Sequence, residues 1–240
     1  MLRRFFVDQV RNGQAQIAGE GARHLTRVLR VEPGQRYEIS DNHNVYLAEI
    51  ETARREQVVF RALEKLPSGP EAPVRMILCA ALIKLDRFEW MIEKATELGV
   101  AEIVPVRAVR SERGLERATL KRLERWRRIA LEASQQARRA HLPRIGEPQD
   151  LAQALRTPAT CRLALDENPG TAISAALPGT RGAEDSVALL AGPEGGWTEA
   201  ERVEFLVAGW RAVSLGPLIL RAETAALAAL AVTGNAWLIH

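Results

Sequence analysis

The 240-residue chain is 47% hydrophobic and 26% charged, an ordinary globular composition with room for one large or two modest domains. Met1-Leu2-Arg3-Arg4-Phe5-Phe6 lacks the apolar core of a signal peptide, and no run of about eighteen uncharged apolar residues occurs, so we expect a cytoplasmic protein without a membrane span. The net charge of +3 is unevenly spread: residues 107–144 carry 12 basic and 4 acidic side chains, whereas residues 145–240 carry 6 and 11.

In chain order, residues 1–69 read as a small β-rich domain. Arg4-Phe5-Phe6-Val7 is a first strand, and residues 21–30 have helical spacing, with Leu25, Val28 and Leu29 on one face and Arg23, Arg27 and Arg30 on the other. Tyr37–Ser40 and Val45–Ile50 alternate as hairpin strands around the turn at Asp41-Asn42-His43-Asn44, and Gln57–Leu63 closes the set. Prolines at 67, 70 and 73 mark a linker.

Residues 74–240 alternate strand and helix, which predicts an α/β domain with a mainly parallel sheet and helices on both faces. Val74–Ala81 is a buried strand, and Asp86 is expected to cap a helix that runs to Leu98 and stops at Gly99. Glu102–Val106 is the next strand. An arginine-rich helix is expected over 117–139, with Leu120, Leu123, Ile129 and Leu131 among its apolar positions. Its basic stripe has two readings, a surface for a phosphate backbone or a solvated helix face. Cys79 and Cys161 sit in apolar strand-like runs, which points to small buried hydrophobes and neither a disulfide nor a metal framework.

Two stretches near the C-terminus carry more information. Strand-like Ser186–Leu190 leads into Ala191-Gly192-Pro193-Glu194-Gly195-Gly196-Trp197-Thr198-Glu199, and Thr198 with Glu201 forms a capping box that starts a helix. Three glycines let a backbone come close to a ligand. About twenty residues on, strand-like Trp210–Ser214 leads into Leu215-Gly216-Pro217-Leu218-Ile219-Leu220-Arg221-Ala222-Glu223-Thr224 and an alanine-rich helix. The pattern G-P-E-G-G is not G-x-G-x-x-G, which argues against a dinucleotide-binding oxidoreductase.

Together, GPEGGWTEAE and LGPLILRAETAAL resemble the signature of the SPOUT methyltransferases, and within them the RsmE family, over nearly the whole chain. Lys84–Val100 is similar to the family's segment K-x-x-x-x-(E/D)-W-x-I-x-K-A-T-E-L-G-V. The resemblance implies a PUA-like N-terminal barrel, a trefoil-knotted sheet, a homodimer, and methylation of N3 of a uridine in small-subunit ribosomal RNA with S-adenosylmethionine as cofactor. It implies no metal and no membrane. The alternative is a non-catalytic RNA-binding assembly factor with a vestigial pocket.

For the cofactor, the resemblance implies main-chain contacts near Leu190, Gly192, Leu215 and Leu220, and room at Gly195 and Gly196. Leu165, Ala191, Gly216, Leu218, Glu223 and Thr224 complete the implied set. Glu194 either holds the loops together or faces the sulfonium. Arg221, Arg138 and Arg113 are candidates to stabilise the uridine anion, with Glu194 beside them. The candidate RNA contacts are Arg23, His24, Arg27, Arg30, Lys84, Arg87, Arg110, Arg113, Arg138 and Arg139, although His24 has a local packing alternative. Ser134, Ala137 and Leu218 depart from the family pattern, which has glutamate, glycine and arginine there.

Overall fold

The computed structural model describes residues 2–67, 71–112, 114–168 and 170–238. They form two compact units: 1–71 with 134–142, and 72–133 with 143–240.

The first unit is a curled five-stranded sheet. Its strands are β1 (Arg4–Phe6), β2 (Gln14–Ala18), β3 (Arg36–Ser40), β4 (Val45–Arg54) and β5 (Gln57–Leu66), in the order β1-β3-β4-β5-β2. Register shifts between Leu47 and Ala48 and between Ile50 and Thr52 bend the long β4–β5 ribbon. Helix α1 (Gly19–Arg27) closes over it through Ala22 and Leu25, and Phe5 packs on Tyr37 and Phe60 at 5.1 and 6.3 Å. At the hairpin turn, the Asp41 carboxylate accepts hydrogen bonds from the backbone N–H groups of His43 and Asn44. Strand β2 escapes sequence pattern because Gln14-Ala15-Gln16-Ile17-Ala18 has a single β-branched residue.

Segment 134–142 is stitched into this unit by polar contacts. Arg4 donates to Glu38 at 2.8 Å, Arg138 pairs with the other Glu38 oxygen, and Ser40 Oγ donates to the Ala140 carbonyl at 2.6 Å. Glu71 accepts from the N–H groups of Ala140 and His141.

The second unit is a parallel sheet covered on both sides. Its strands are β6 (Arg75–Ala81), β7 (Glu102–Arg107), β8 (Arg144–Ile145), β9 (Gln149–Asp150), β10 (Cys161–Leu165), β11 (Thr171–Ala172), β12 (Ser186–Ala191) and β13 (Arg211–Ser214). The order is β11-β13-β10-β12-β6-β7-β8, with β9 on β7. The helices are α2 (Leu85–Glu97), α3 (Leu115–Gln136), α4 (Leu151–Ala154), α5 (Ile173–Ala176), α6 (Glu199–Val207) and α7 (Ala222–Ala236). The last three residues of α3, Ser134 to Gln136, belong to the first unit.

Alternation along the central strands explains the two-sided cover. Met76, Leu78 and Ala80 of β6 join Val187 and Leu189 of β12 in a core with α2, α3 and α7, whereas Ile77, Cys79, Ala81, Ala188 and Leu190 join a second core with α4 and α6. Burial pushes the Cys79 thiol up to about 11, so it stays protonated and inert at neutral pH.

Several expected boundaries shift. Lys84 occupies the N-cap of α2 without a side-chain bond, and Asp86 sits inside the first turn, where its charge still suits the helix dipole. Gly99, at φ +87°, ends the segment as expected. Helix α3 buries Trp126 against Phe88 at 4.6 Å and leaves Leu120 54% exposed. Ala226, Ala229 and Leu230 of α7 are buried within the unit itself.

Candidate active site

The carboxyl ends of β10, β12 and β13 lie side by side, where open α/β sheets hold ligands. A cleft of about 440 Å³ opens there. Its walls are the β10 end at Leu165-Asp166-Glu167, the glycine loop at Gly192, Pro193, Glu194, Gly196 and Trp197, the loop at Ser214–Arg221, Arg202, and Arg87 from the first turn of α2.

The glycine loop is held from several directions. Trp197 is buried and its indole N–H donates to the Leu165 carbonyl at 3.0 Å, tying the loop to the end of β10. The Gly196 N–H donates to the Pro193 carbonyl at 2.9 Å. Glycine is required at 196: φ is +68°, and a Cβ there would lie 2.8 Å from Glu167 Oε1. The expected capping box is present, with Glu201 accepting from Thr198 N at 2.8 Å and Thr198 Oγ1 accepting from Glu201 N. The buried Glu201 also accepts from Val109 N at 2.8 Å, which joins α6 to the loop after β7.

The charges on the cleft wall balance. Arg87, Arg202 and Arg221 face Asp166, Glu167 and Glu194. Arg202 binds Asp166 through two nitrogens at 2.8 and 3.2 Å and reaches Glu167 at 3.5 Å. Donating these hydrogen bonds to the Asp166 carboxylate holds the Arg202 guanidinium further toward its charged form. Arg87 pairs with Glu194, and its Nε lies 3.9 Å from Glu223. Glu223 is 6% exposed and its Oε2 has no hydrogen-bond partner among the described residues. Arg221 is exposed and has no ion pair among the described residues.

The structure brings together only part of the expected set. Leu165, Gly192, Glu194, Gly196, Leu215, Gly216, Leu218, Leu220 and Arg221 line the cleft. Leu190 and Ala191 are core residues, 0% and 2% exposed, because a six-residue strand between two helical layers is covered on both faces. Gly195 faces away from the expected ribose and methionine room: a Cβ there would meet the Arg110 side chain at 3.3 Å. Glu223 and Thr224 belong to the first turn of α7 outside the lining.

Five arginines assigned to RNA have intramolecular partners. Arg110 donates to the Gly195 carbonyl at 2.7 Å and braces the glycine loop. Arg87 stands on the cleft wall. Arg138, at φ +56°, clasps Glu38 within the first unit, while the 5% exposed Arg139 pairs with Glu71 at 3.5 Å. Arg23 pairs with Glu56 at 2.9 Å on the surface of α1, where His24 and Arg27 are also exposed, as is Arg30 beyond the helix end. Lys84 is exposed ahead of α2, and Arg113 lies outside the described residues. Trp197, Arg202 and Ile219 were not anticipated. A tryptophan directly after two glycines at a helix start is a usable signal, whereas the Arg202 partner stands 36 residues away.

Among the described residues no cluster of His, Cys, Asp and Glu fits a metal ion, and no helix is long and apolar enough to cross a membrane.

Residues 70–234 match the model of an RNA methyltransferase domain, and residues 17–63 that of an RNA methyltransferase PUA domain. Ribosomal RNA small subunit methyltransferase E of Bacillus subtilis is 31% identical over 95% of this chain and 94% of its own. The protein of that name from Synechocystis is 32% identical over 87% of this chain and 68% of its own. A solved Neisseria gonorrhoeae ribosomal RNA small subunit methyltransferase E, bound to S-adenosylmethionine, superposes with a TM-score of 0.87 at 28% identity, covering 98% of both chains. A Legionella pneumophila protein solved with the same cofactor bound has a TM-score of 0.87 at 28% identity over 97% of this chain and 96% of that one. The parallel sheet with its two helical layers, the curled PUA-like sheet and the sequence identity over most of its length agree: the chain belongs to the ribosomal RNA small subunit methyltransferase E family of RNA methyltransferases.

Proposed function

We propose that this chain transfers a methyl group from S-adenosylmethionine to N3 of a uridine in small-subunit ribosomal RNA, in the cytoplasm, breaking the sulfur–methyl bond and releasing S-adenosylhomocysteine and the N3 proton. The observation that carries the reading is the cleft at the carboxyl ends of β10, β12 and β13. Its volume of about 440 Å³ suits a small-molecule site. Leu165, Leu215, Leu218, Ile219 and Leu220 offer apolar surface for a flat heterocycle, and the balanced carboxylates and guanidiniums suit a ligand with an ammonium, a carboxylate and a sulfonium. The narrow backbone at Gly196 keeps the loop out of that space. When bound, the cofactor supplies an electrophilic methyl group on a positively charged sulfur.

This chain's residues then have separable parts. Glu194 and Glu167 face cationic portions of the ligand, and Glu194 also pairs with Arg87, which ties its loop to the start of α2. Arg221, exposed on the wall, stabilises the anion that develops as uridine loses its N3 proton. Arg138 has a structural part, because its guanidinium is committed to Glu38.

The reading includes a trefoil knot in the sheet and a homodimer. Support for a second copy comes from apolar side chains left open on α7, just after it and in the cleft wall: Val232 at 36%, Leu238 at 67%, Leu218 at 78% and Ile219 at 87% exposed. The core position Ala229 is a poor probe of that interface, whereas Val232→Glu is expected to halve the mass seen by light scattering.

The function is tested by incubating the protein with S-adenosylmethionine and small subunits, then mapping methylated positions by mass spectrometry. One new N3-methyluridine is expected. Cofactor binding with no methylated nucleotide on free RNA or subunits would favour the assembly factor.

A further inference from the structure

We propose a phosphate-binding site at the amino edge of the large sheet, opposite the cofactor cleft. A cavity of about 290 Å³ opens there, lined by Arg75, Glu102, Arg144, Gln153, Arg156 and Thr157 over a floor that includes Ile77 and Val104. The parallel register sets Ile77, Glu102 and Arg144 in one row across β6, β7 and β8. Side chains two apart on a strand share a face, so Arg75, Ile77, Glu102 and Val104 all point to the side that α4 covers.

The charge is unbalanced there, unlike in the cleft. Among the described residues, three guanidiniums line the cavity and Glu102 is the single carboxylate in its wall. Glu102 is 8% exposed and pairs with both Arg75, at 3.3 Å, and Arg144. One buried carboxylate thus anchors one nitrogen of each of two guanidiniums while cancelling one charge. Arg156, on the turn after α4, is exposed and has no ion pair among the described residues. Pre-positioned guanidiniums beside a hydroxyl and a side-chain amide are the chemistry that recognises a tetrahedral oxyanion with several acceptor oxygens. The ends of β12 that border the two sites, Ser186 against Arg75 and Gly192 in the cleft, are about six residues apart, or roughly 20 Å at about 3.3 Å per residue.

The ligand is a phosphate group, from an RNA backbone or as a free phosphate. The RNA source rests on the proposed RNA substrate, and the free-anion source does not. Arg156→Ala is the probing variant because it leaves both partners of Glu102 in place.

The first measurement is the salt dependence of binding to a small-subunit ribosomal RNA fragment, read by fluorescence anisotropy with the full chain. Loss of one phosphate contact is expected to reduce the slope of log K against log salt by about 0.7–0.9 in Arg156→Ala, with unchanged S-adenosylmethionine affinity. The second is thermal unfolding in inorganic phosphate at constant ionic strength. A midpoint raised by phosphate in the wild type and not in Arg156→Ala, with an unmoved RNA slope, supports the site with a free-phosphate source. A reduced slope supports the RNA source. If neither slope nor phosphate-dependent midpoint differs between the proteins, the proposal is overturned. A chain that binds no RNA at all defeats the RNA reading, and the phosphate measurement alone then decides this site.

Discussion

The glycine loop at 192–197 and the apolar loop at 214–221 line the same cleft, yet they are secured differently. The glycine loop is pinned by the Trp197 indole on Leu165, by Arg110 on the Gly195 carbonyl, by Arg87 on Glu194, and by the capping box beneath it. In the second loop, Ser214 Oγ closes on Gly216 N at 3.2 Å, while Leu218 and Ile219 stand 78% and 87% exposed. Preorganised main chain costs no reordering when a ligand arrives, whereas open apolar side chains gain by being covered. One loop is therefore a fixed wall, and the other takes its final cover from what enters the cleft or from a second subunit.

The comparison breaks most visibly at Gly196. Gly196→Val puts a β-branched residue at φ +68° and drives its Cβ into Glu167. A strain of about 1–3 kcal/mol follows at the pinned loop. Calorimetry is expected to show cofactor binding lost, and the unfolding midpoint should fall.

Arg110→Ala tests the brace from outside the cleft. It removes the bond to Gly195 and leaves the core intact. A hydrogen bond worth about 1 kcal/mol corresponds to roughly five-fold weaker cofactor binding. Because that guanidinium is already engaged, the salt dependence of RNA binding should barely change, and a slope reduced by a full contact would restore Arg110 to the RNA surface.

The smallest effect on stability is expected in the open loop. Ile219→Ser should leave unfolding within about 0.5 kcal/mol of wild type, as exposed substitutions do, while weakening cofactor binding or self-association. A destabilisation comparable to that of Gly196→Val would erase the distinction between the loops.

What was legible beforehand was local or strongly periodic. The Thr198 and Glu201 box, the stop at Gly99 and the apolar strands all act within a few residues. The two-motif resemblance located the cleft walls and the small curled sheet. Direction and partnership were not legible. Gly195 and Gly196 are identical in sequence, yet one faces Arg110 and the other Glu167. Arg110 and Arg138 read as free cations because their partners, Gly195 and Glu38, lie 85 and 100 residues away. The alanine-rich helix does not show in sequence what covers it: α2 and the β6–β12 pair cover Ala226 and Ala229 of α7.

The central claim is that the pinned glycine loop and its cleft hold the methyl donor. Isothermal titration of S-adenosylmethionine into wild type and Gly196→Val tests it most directly, with circular dichroism to confirm that both are folded. The account predicts saturable binding of one cofactor per chain in the wild type and none in the folded variant. Equal affinity in the two proteins would contradict it.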